Sequence, residues 1–89
     1  TEVSAEVVKQ MAKSVLKKFD ADLAIATSGY AGPTGGTNKN PIGTVFIAIA
    51  SAEGVVTNRF IFSGNRQSVV NQASESSLDL LYAEVKKQQ

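Results

Sequence analysis

The residues whose types and spacing could do chemistry lie between two apolar runs, in Thr27-Ser-Gly-Tyr-Ala-Gly-Pro-Thr-Gly-Gly-Thr37 and on to Thr44. This stretch holds five of the seven glycines (29, 32, 35, 36, 43) and both prolines, so its backbone is built for unusual angles and close approach. Gly29, Gly32, Gly35 and Gly36 could bring backbone N–H groups around a phosphate or an oxyanion; a tight loop with no ligand is the other reading. The hydroxyls of Thr27 and Ser28 could hydrogen-bond a carboxamide or a ribose, or simply satisfy nearby backbone groups. Arg66 follows Gly64-Asn65 at the start of a helical pattern. Its guanidinium could clamp a phosphate through two parallel N–H bonds. The alternative is a solvated arginine, although a cation at a helix start opposes the dipole slightly, which weighs towards function. Tyr30 could stack on a base or pack the loop, Lys39 could act electrostatically but reads as a mobile loop lysine, and Arg59 reads as a solvated strand residue. A side chain added at Gly32 or Gly36 is expected to harm binding more than stability.

Composition removes whole classes of chemistry. With no cysteine there is no thiolate nucleophile, thiolate metal site or disulfide, and with no histidine the commonest general base and metal ligand are gone. No pair of acids has the setting of a catalytic dyad; Glu75 and Asp79 read as helix surface. No catalytic residue, metal or cofactor is therefore assigned within the chain. A net charge of +1 gives no reason to expect nucleic acid or an acidic membrane as partner. No apolar run approaches the roughly 20 residues of a membrane span, and no signal peptide opens the chain, so a cytoplasmic protein is expected. Eighty-nine residues, 43% of them apolar, suit one small domain over residues 1–89.

The elements that must position these residues follow from periodicity. Ser4 can cap a helix over residues 5–18, whose apolar stripe is Val8, Met11, Ala12, Val15, Leu16 and Phe19. Lys9, Lys13, Lys17 and Lys18 form its solvated faces. Leu23–Ala26 is apolar on both faces and reads as a buried strand ending at Ser28-Gly29. Thr44–Ser51 is a second strand of the same kind, central in a covered sheet. Ala52-Glu53-Gly54 is a tight turn, and Val55–Phe62 is a third strand nearer an edge. Asn65 can cap a last helix over 66–86 that frays through Lys86–Gln89. Its buried stripe would be Val69, Val70, Ala73, Ser77, Leu80, Leu81 and Val85, with Leu78 beside them. The order is α-β-β-β-α, an α/β fold with helices layered on a small mixed or antiparallel sheet. A three-stranded meander would leave Leu23–Ala26 at an edge, although its composition is that of an interior strand.

The landmarks occur in a recognisable order. Ala24-Ile-Ala-Thr-Ser-Gly-Tyr-Ala-Gly-Pro-Thr-Gly-Gly-Thr37, followed by Pro41-Ile-Gly-Thr-Val45, resembles the signature A-x-A-x-T/S-G-x-A-G-P-x-G-G-T…K-P-V-G-T-V of the CinA C-terminal domain family. That family comprises the competence/damage-inducible proteins and the nicotinamide-nucleotide amidases. Val3–Glu6 with Met11-Ala12 resembles its entry helix, Phe62-Ser-Gly-Asn-Arg66 its F-x-G-D/N-R, and Ala73 with Leu78 its final helix. Three positions depart from the pattern: Ser28 replaces a common threonine, Asn40 a lysine and Ser14 a glycine.

The resemblance covers this whole chain but only the second half of the family's three-layer α/β/α domain. The family's proposed serine nucleophile sits in an upstream Ser-Cys-Thr-Gly-Gly-like segment, with a Tyr-Ser-Asn-like strand and a lysine, and none of these occurs here. The resemblance thus implies a C-terminal portion of a nicotinamide-nucleotide amidase domain. The parent reaction would hydrolyse the carboxamide of nicotinamide mononucleotide to the nicotinic acid nucleotide and ammonia. Thr27, Ser28, Gly29, Ala31, Gly32, Gly35, Gly36 and Arg66 would supply substrate binding, and the chain alone would be inactive. The rival reading is a non-catalytic oligomerising or regulatory module that pairs its open sheet edge with another copy.

Overall fold

The computed structural model describes residues 3–87. Helix α1 spans Ala5–Lys18; strands β1 (Leu23–Gly29), β2 (Thr44–Ser51) and β3 (Gly54–Ile61) follow, and helix α2 spans Arg66–Lys87. Both helix starts are capped as their side chains dictate. Ser4 Oγ accepts the Val7 N–H at 3.2 Å, and Asn65 Oδ1 accepts the Ser68 N–H at 2.9 Å. Lys17 and Lys18 occupy the last turn of α1, where cations offset the negative end of the dipole.

The sheet is a meander, β1-β2-β3, with both pairings antiparallel. The register sets Ala26 opposite Ala48 and Phe46 opposite Arg59. Alternation along β2 sends successive side chains to opposite faces. Phe46, Ala48 and Ala50 join Val3, Val8, Ala12 and Ala26 beneath α1. Val45 and Ile47 join Val69 beneath α2, with Ile25, Phe60, Phe62, Ala73 and Leu80 around them. The alanines on the first face let α1 approach closely; the branched residues on the second face fill a wider gap. The architecture is therefore helix, sheet, helix, and all eight residues of β2 are buried.

The structure changes several details of the sequence reading. β1 does end at Ser28-Gly29 as expected, with Thr27, Ser28 and Gly29 inside the strand. β1 is an edge strand whose burial is one-sided: Ala24 and Ala26 are buried, whereas Leu23 and Ile25 are only partly covered. β3 is shifted by one residue relative to the expected span, and α2 extends one residue further, to Lys87. The expected fraying at Gln88 and Gln89 lies outside the described residues.

Both helical stripes prove half-covered. On α1, Val8 and Ala12 are buried, but Met11, Val15 and Phe19 are exposed. On α2 only Val69 is fully buried; Ala73, Ser77, Leu80 and Leu81 are partly so, and Val70, Leu78 and Val85 are exposed. For α2 the reason is dimensional. Three strands make a sheet roughly 10 Å across between outer strand axes, and eight residues of strand reach roughly 26 Å. A 22-residue helix is roughly 33 Å long. One such sheet cannot cover the apolar side of α2 along its full length.

Ile47 is the largest side chain fully enclosed by this arrangement. Ile47→Ala is expected to cost about 3 kcal/mol, through lost burial and the cavity left behind. Leu78→Ser, on the exposed side of α2, is expected to change stability by less than about 0.5 kcal/mol. Urea denaturation of the two variants side by side measures both.

Candidate functional site

The glycine-rich segment, residues 30–43, leaves the end of β1 and returns at the start of β2. Its base continues the strand ladder. Tyr30 N donates to Thr44 O at 2.9 Å, and Gly43 N donates to Tyr30 O at 2.6 Å. Beyond that base the segment forms two limbs. The first, around Gly32, is held by Arg66, whose Nη1 donates to Gly32 O at 3.0 Å. The second is a turn at 37–40, closed by Thr37 N donating to Asn40 O at 2.8 Å and Asn40 N donating to Thr37 Oγ1 at 2.9 Å. That turn is fastened to the α1 side: Asn40 Nδ2 donates to Val3 O at 3.4 Å. Arg59 Nη2 donates to Lys39 O at 3.0 Å and to Asn40 Oδ1 at 3.3 Å. The loop thus straddles the end of the sheet, one limb tied to each helical layer.

Two glycines are required by the geometry of this path. Gly36 has φ +82°, and a Cβ there would lie 2.8 Å from the Ile42 nitrogen. Gly43 has φ +100°, and a Cβ there would overlap the carbonyl oxygen of Phe62, whose N–H is itself donated to Gly43 O at 2.8 Å. Any side chain at either position must both strain the backbone and displace main-chain atoms. The glycines therefore serve the loop's own packing, which alters the expectation for Gly32 and Gly36. Gly32 has φ +93° and lies against the Ile42 side chain, so substitutions at both sites should cost stability as well as any binding.

The eight residues singled out from the sequence divide into two groups. Thr27, Ser28, Gly29 and Ala31 line a groove of about 510 Å³ between the outer edge of β1 and α2. Its far wall is Val70, Ala73, Ser74, Ser77, Leu78 and Leu81, and its floor includes Ile25, Val45 and Val69. Gly32, Gly35, Gly36 and Arg66 stand outside that lining. Gly32 and Arg66 are joined to each other, and the chain step from Ala31 to Gly32 links them to the groove wall. Gly35 lies against the Tyr30 ring, and Tyr30 packs on the core beneath α1, so its ring belongs to the loop's support.

By periodicity the α2 wall reads as buried core, and Arg59, by its place in β3, as a solvated strand residue. The structure makes the first a groove wall and the second a loop anchor. Arg59 also lies over the Phe46 ring, 6.0 Å from its centre. The signal available for Arg59 was its place in the register, directly across from Phe46. A larger hollow, about 1000 Å³, lies at the opposite end of the molecule among Lys13, Lys17, Lys87, Asp20, Asp22 and Glu53. Its lysines and acids balance, and none of the glycine-loop residues reaches it. The smaller groove is the better candidate because it alone adjoins the loop. Among the described residues, no cluster of three or more acids, histidines or cysteines is placed to hold a metal, and no helix is long and apolar enough to cross a membrane.

An antiparallel sheet between two helices, with a glycine loop fastened across its end, defines an α/β/α domain of the kind the sequence landmarks indicated. Residues 1–85 match the CinA C-terminal domain family, and the chain belongs to that family. It is 44% identical over 85 residues to a CinA-like protein of Flavobacterium psychrophilum, which covers 96% of this chain and 20% of that protein. It is 46% identical over 81 residues to the nicotinamide-nucleotide amidohydrolase PncC of Escherichia coli, covering 90% of this chain and 49% of PncC. Among solved structures, the competence damage-inducible protein A of Klebsiella pneumoniae superposes with a TM-score of 0.89 at 38% identity, over 98% of this chain and 54% of that one. A CinA superfamily protein of Enterobacter cloacae gives 0.85 at 41% identity. The chain thus spans about half, or less, of the length of these relatives.

Gly43→Ala is expected to destabilise the fold by more than about 2 kcal/mol, because it drives a methyl group into the Phe62 carbonyl. Gly54 also has positive φ, but open space surrounds it, so Gly54→Ala is expected to cost only about 1 kcal/mol of backbone strain. Thermal melts of the pair compare collision with strain alone.

Proposed function

We propose that this chain is the binding half of a CinA-type nicotinamide-nucleotide amidase domain. In this reading, residues 1–89 form one partial domain that is inactive without the segment carrying a nucleophile. The observation that carries it is the junction of groove and loop. A groove of about 510 Å³ is within the usual size of a small-molecule site, is largely apolar, and has at one end Thr27, on the same strand face as Ile25, beside the main chain of Ser28 and Gly29. An aromatic ring would lie against Val70, Ala73 and Leu78, with its carboxamide at Thr27 and the neighbouring main chain. Arg66 spends one donor on Gly32 O and has others for a phosphate. The amidohydrolase among the relatives is named for a nicotinamide nucleotide, which has this combination of ring, carboxamide and phosphate. The open edge of β1 suits a further strand from the rest of such a domain.

Acyl transfer needs a nucleophile, a base and oxyanion donors. The chain has loop N–H groups for the last role and neither histidine nor cysteine for the others. Incubated with nicotinamide mononucleotide, the purified chain is expected to release no ammonia above background. Turnover lost in Ser28→Ala would place the nucleophile here and overturn this part of the reading. Millimolar nicotinamide mononucleotide is expected to shift the amide resonances of residues 27–32 and 66, and Arg66→Gln to reduce those shifts. No perturbation at any of them would remove the binding role.

A second reading is favoured by the surface beside that groove. Val70, Leu78, Tyr82 and Val85 are exposed along α2, next to a β1 edge paired on one side only. Apolar exposure beside an open strand edge favours association, so the module would self-pair through β1 and α2. Sedimentation velocity of the chain is expected to show concentration-dependent dimers, and Leu78→Lys to shift them to monomer. A concentration-independent monomer would sink this reading and leave the first untouched.

A further inference from the structure

We propose that Arg59 is a positioning residue for the glycine loop, the counterpart on the α1 side of Arg66 on the α2 side. The loop has two limbs and each is held through a main-chain carbonyl by an arginine: Gly32 O by Arg66 at 3.0 Å, Lys39 O by Arg59 at 3.0 Å. Arg59 does more than its counterpart. The same Nη2 reaches Asn40 Oδ1 at 3.3 Å, and that carboxamide in turn donates to Val3 O at 3.4 Å. The chain of contacts therefore runs from β3 through the 37–40 turn to the residue before the α1 cap. Arg59 is itself aimed by the sheet. It sits across from Phe46 in the β2–β3 register and lies over that buried ring, which limits the directions its long side chain takes.

The charges fit this role. Asn40 offers an acceptor oxygen to a guanidinium and a donor nitrogen to a carbonyl, and only a carboxamide does both. A lysine at position 40 would remove the acceptor and set a third cation beside Arg59 and Lys39. Lysine at position 59 would keep the charge, but a single ammonium lacks the planar fork and the ring stacking that direct Arg59. A shared effect on the Gly32 limb rests on the nucleotide-binding reading above; the effect on the 37–40 turn does not.

Amide exchange on the full 89-residue chain tests the proposal. The amides of Thr37 and Asn40 close the turn, so in Arg59→Met they are expected to exchange about tenfold faster, as loss of a charge-assisted hydrogen bond implies. Amides of Ile47 and Ile49 in β2 are expected to change less than about twofold, since the global opening is not touched. Asn40→Lys is expected to reproduce the loosening, and Arg59→Lys to fall between wild type and Arg59→Met. Unchanged exchange at 37 and 40 in Arg59→Met would overturn the proposal. So would equal loosening of β2, which would make Arg59 a general strand stabiliser. Nicotinamide mononucleotide titrated into the same variant separates the two ideas. Unaltered shifts at residues 27–32 alongside a loosened turn would support positioning and remove its link to the ligand.

Discussion

The burial of β2 on both faces is the constraint on which the rest of this small protein depends. Its eight residues are enclosed, and pleating deals them alternately to α1 and α2. A slip of one residue would exchange the two sets, pressing branched side chains against the helix that needs alanines. The register is therefore held strongly, and with it everything measured from the strand ends. The loop must start from Tyr30 and return at Gly43 because Gly29 and Val45 are partners. Arg59 must stand across from Phe46 for the same reason.

The glycine loop is long but well fastened. Its base continues the β1–β2 ladder, its limbs are tied by two arginines, and Asn40 links one of them to Val3. A segment of this length without such ties would lose any preorganised arrangement of its N–H groups. Gly36 and Gly43 give the backbone room where it passes Ile42 and Phe62. Both glycines are thus needed to fold the loop at all.

Two helices of 14 and 22 residues on a three-stranded sheet leave apolar surface uncovered. Part of that surface becomes the wall of the groove beside β1. This joins the energetics to the function: the side chains that bring α2 onto the sheet, Val69 and Ala73, are continuous with those that would meet a ligand or another strand, Val70 and Leu78. The relatives matched here are about twice the length of this chain or more.

By itself the sequence determined the order of elements, both helix caps, the central position of Thr44–Ser51 and the ordered landmarks of the family, because each rests on local periodicity, turn chemistry or spacing. It also determined that no cysteine or histidine is present to do chemistry. Tertiary structure alone decided which face of each element is covered. Met11, Val15, Leu78 and Val85 have the spacing of core residues and are exposed, since coverage depends on how wide the sheet is and not on the helix that carries the pattern. It also decided that Thr27 lies on the groove face while Ser28, one residue on, turns to the α1 side, that Gly35 and Gly36 stand away from the groove, and that Arg59 anchors the loop. Those outcomes depend on register and on where a loop of fourteen residues returns across the sheet end, which are long-range properties that no local pattern encodes.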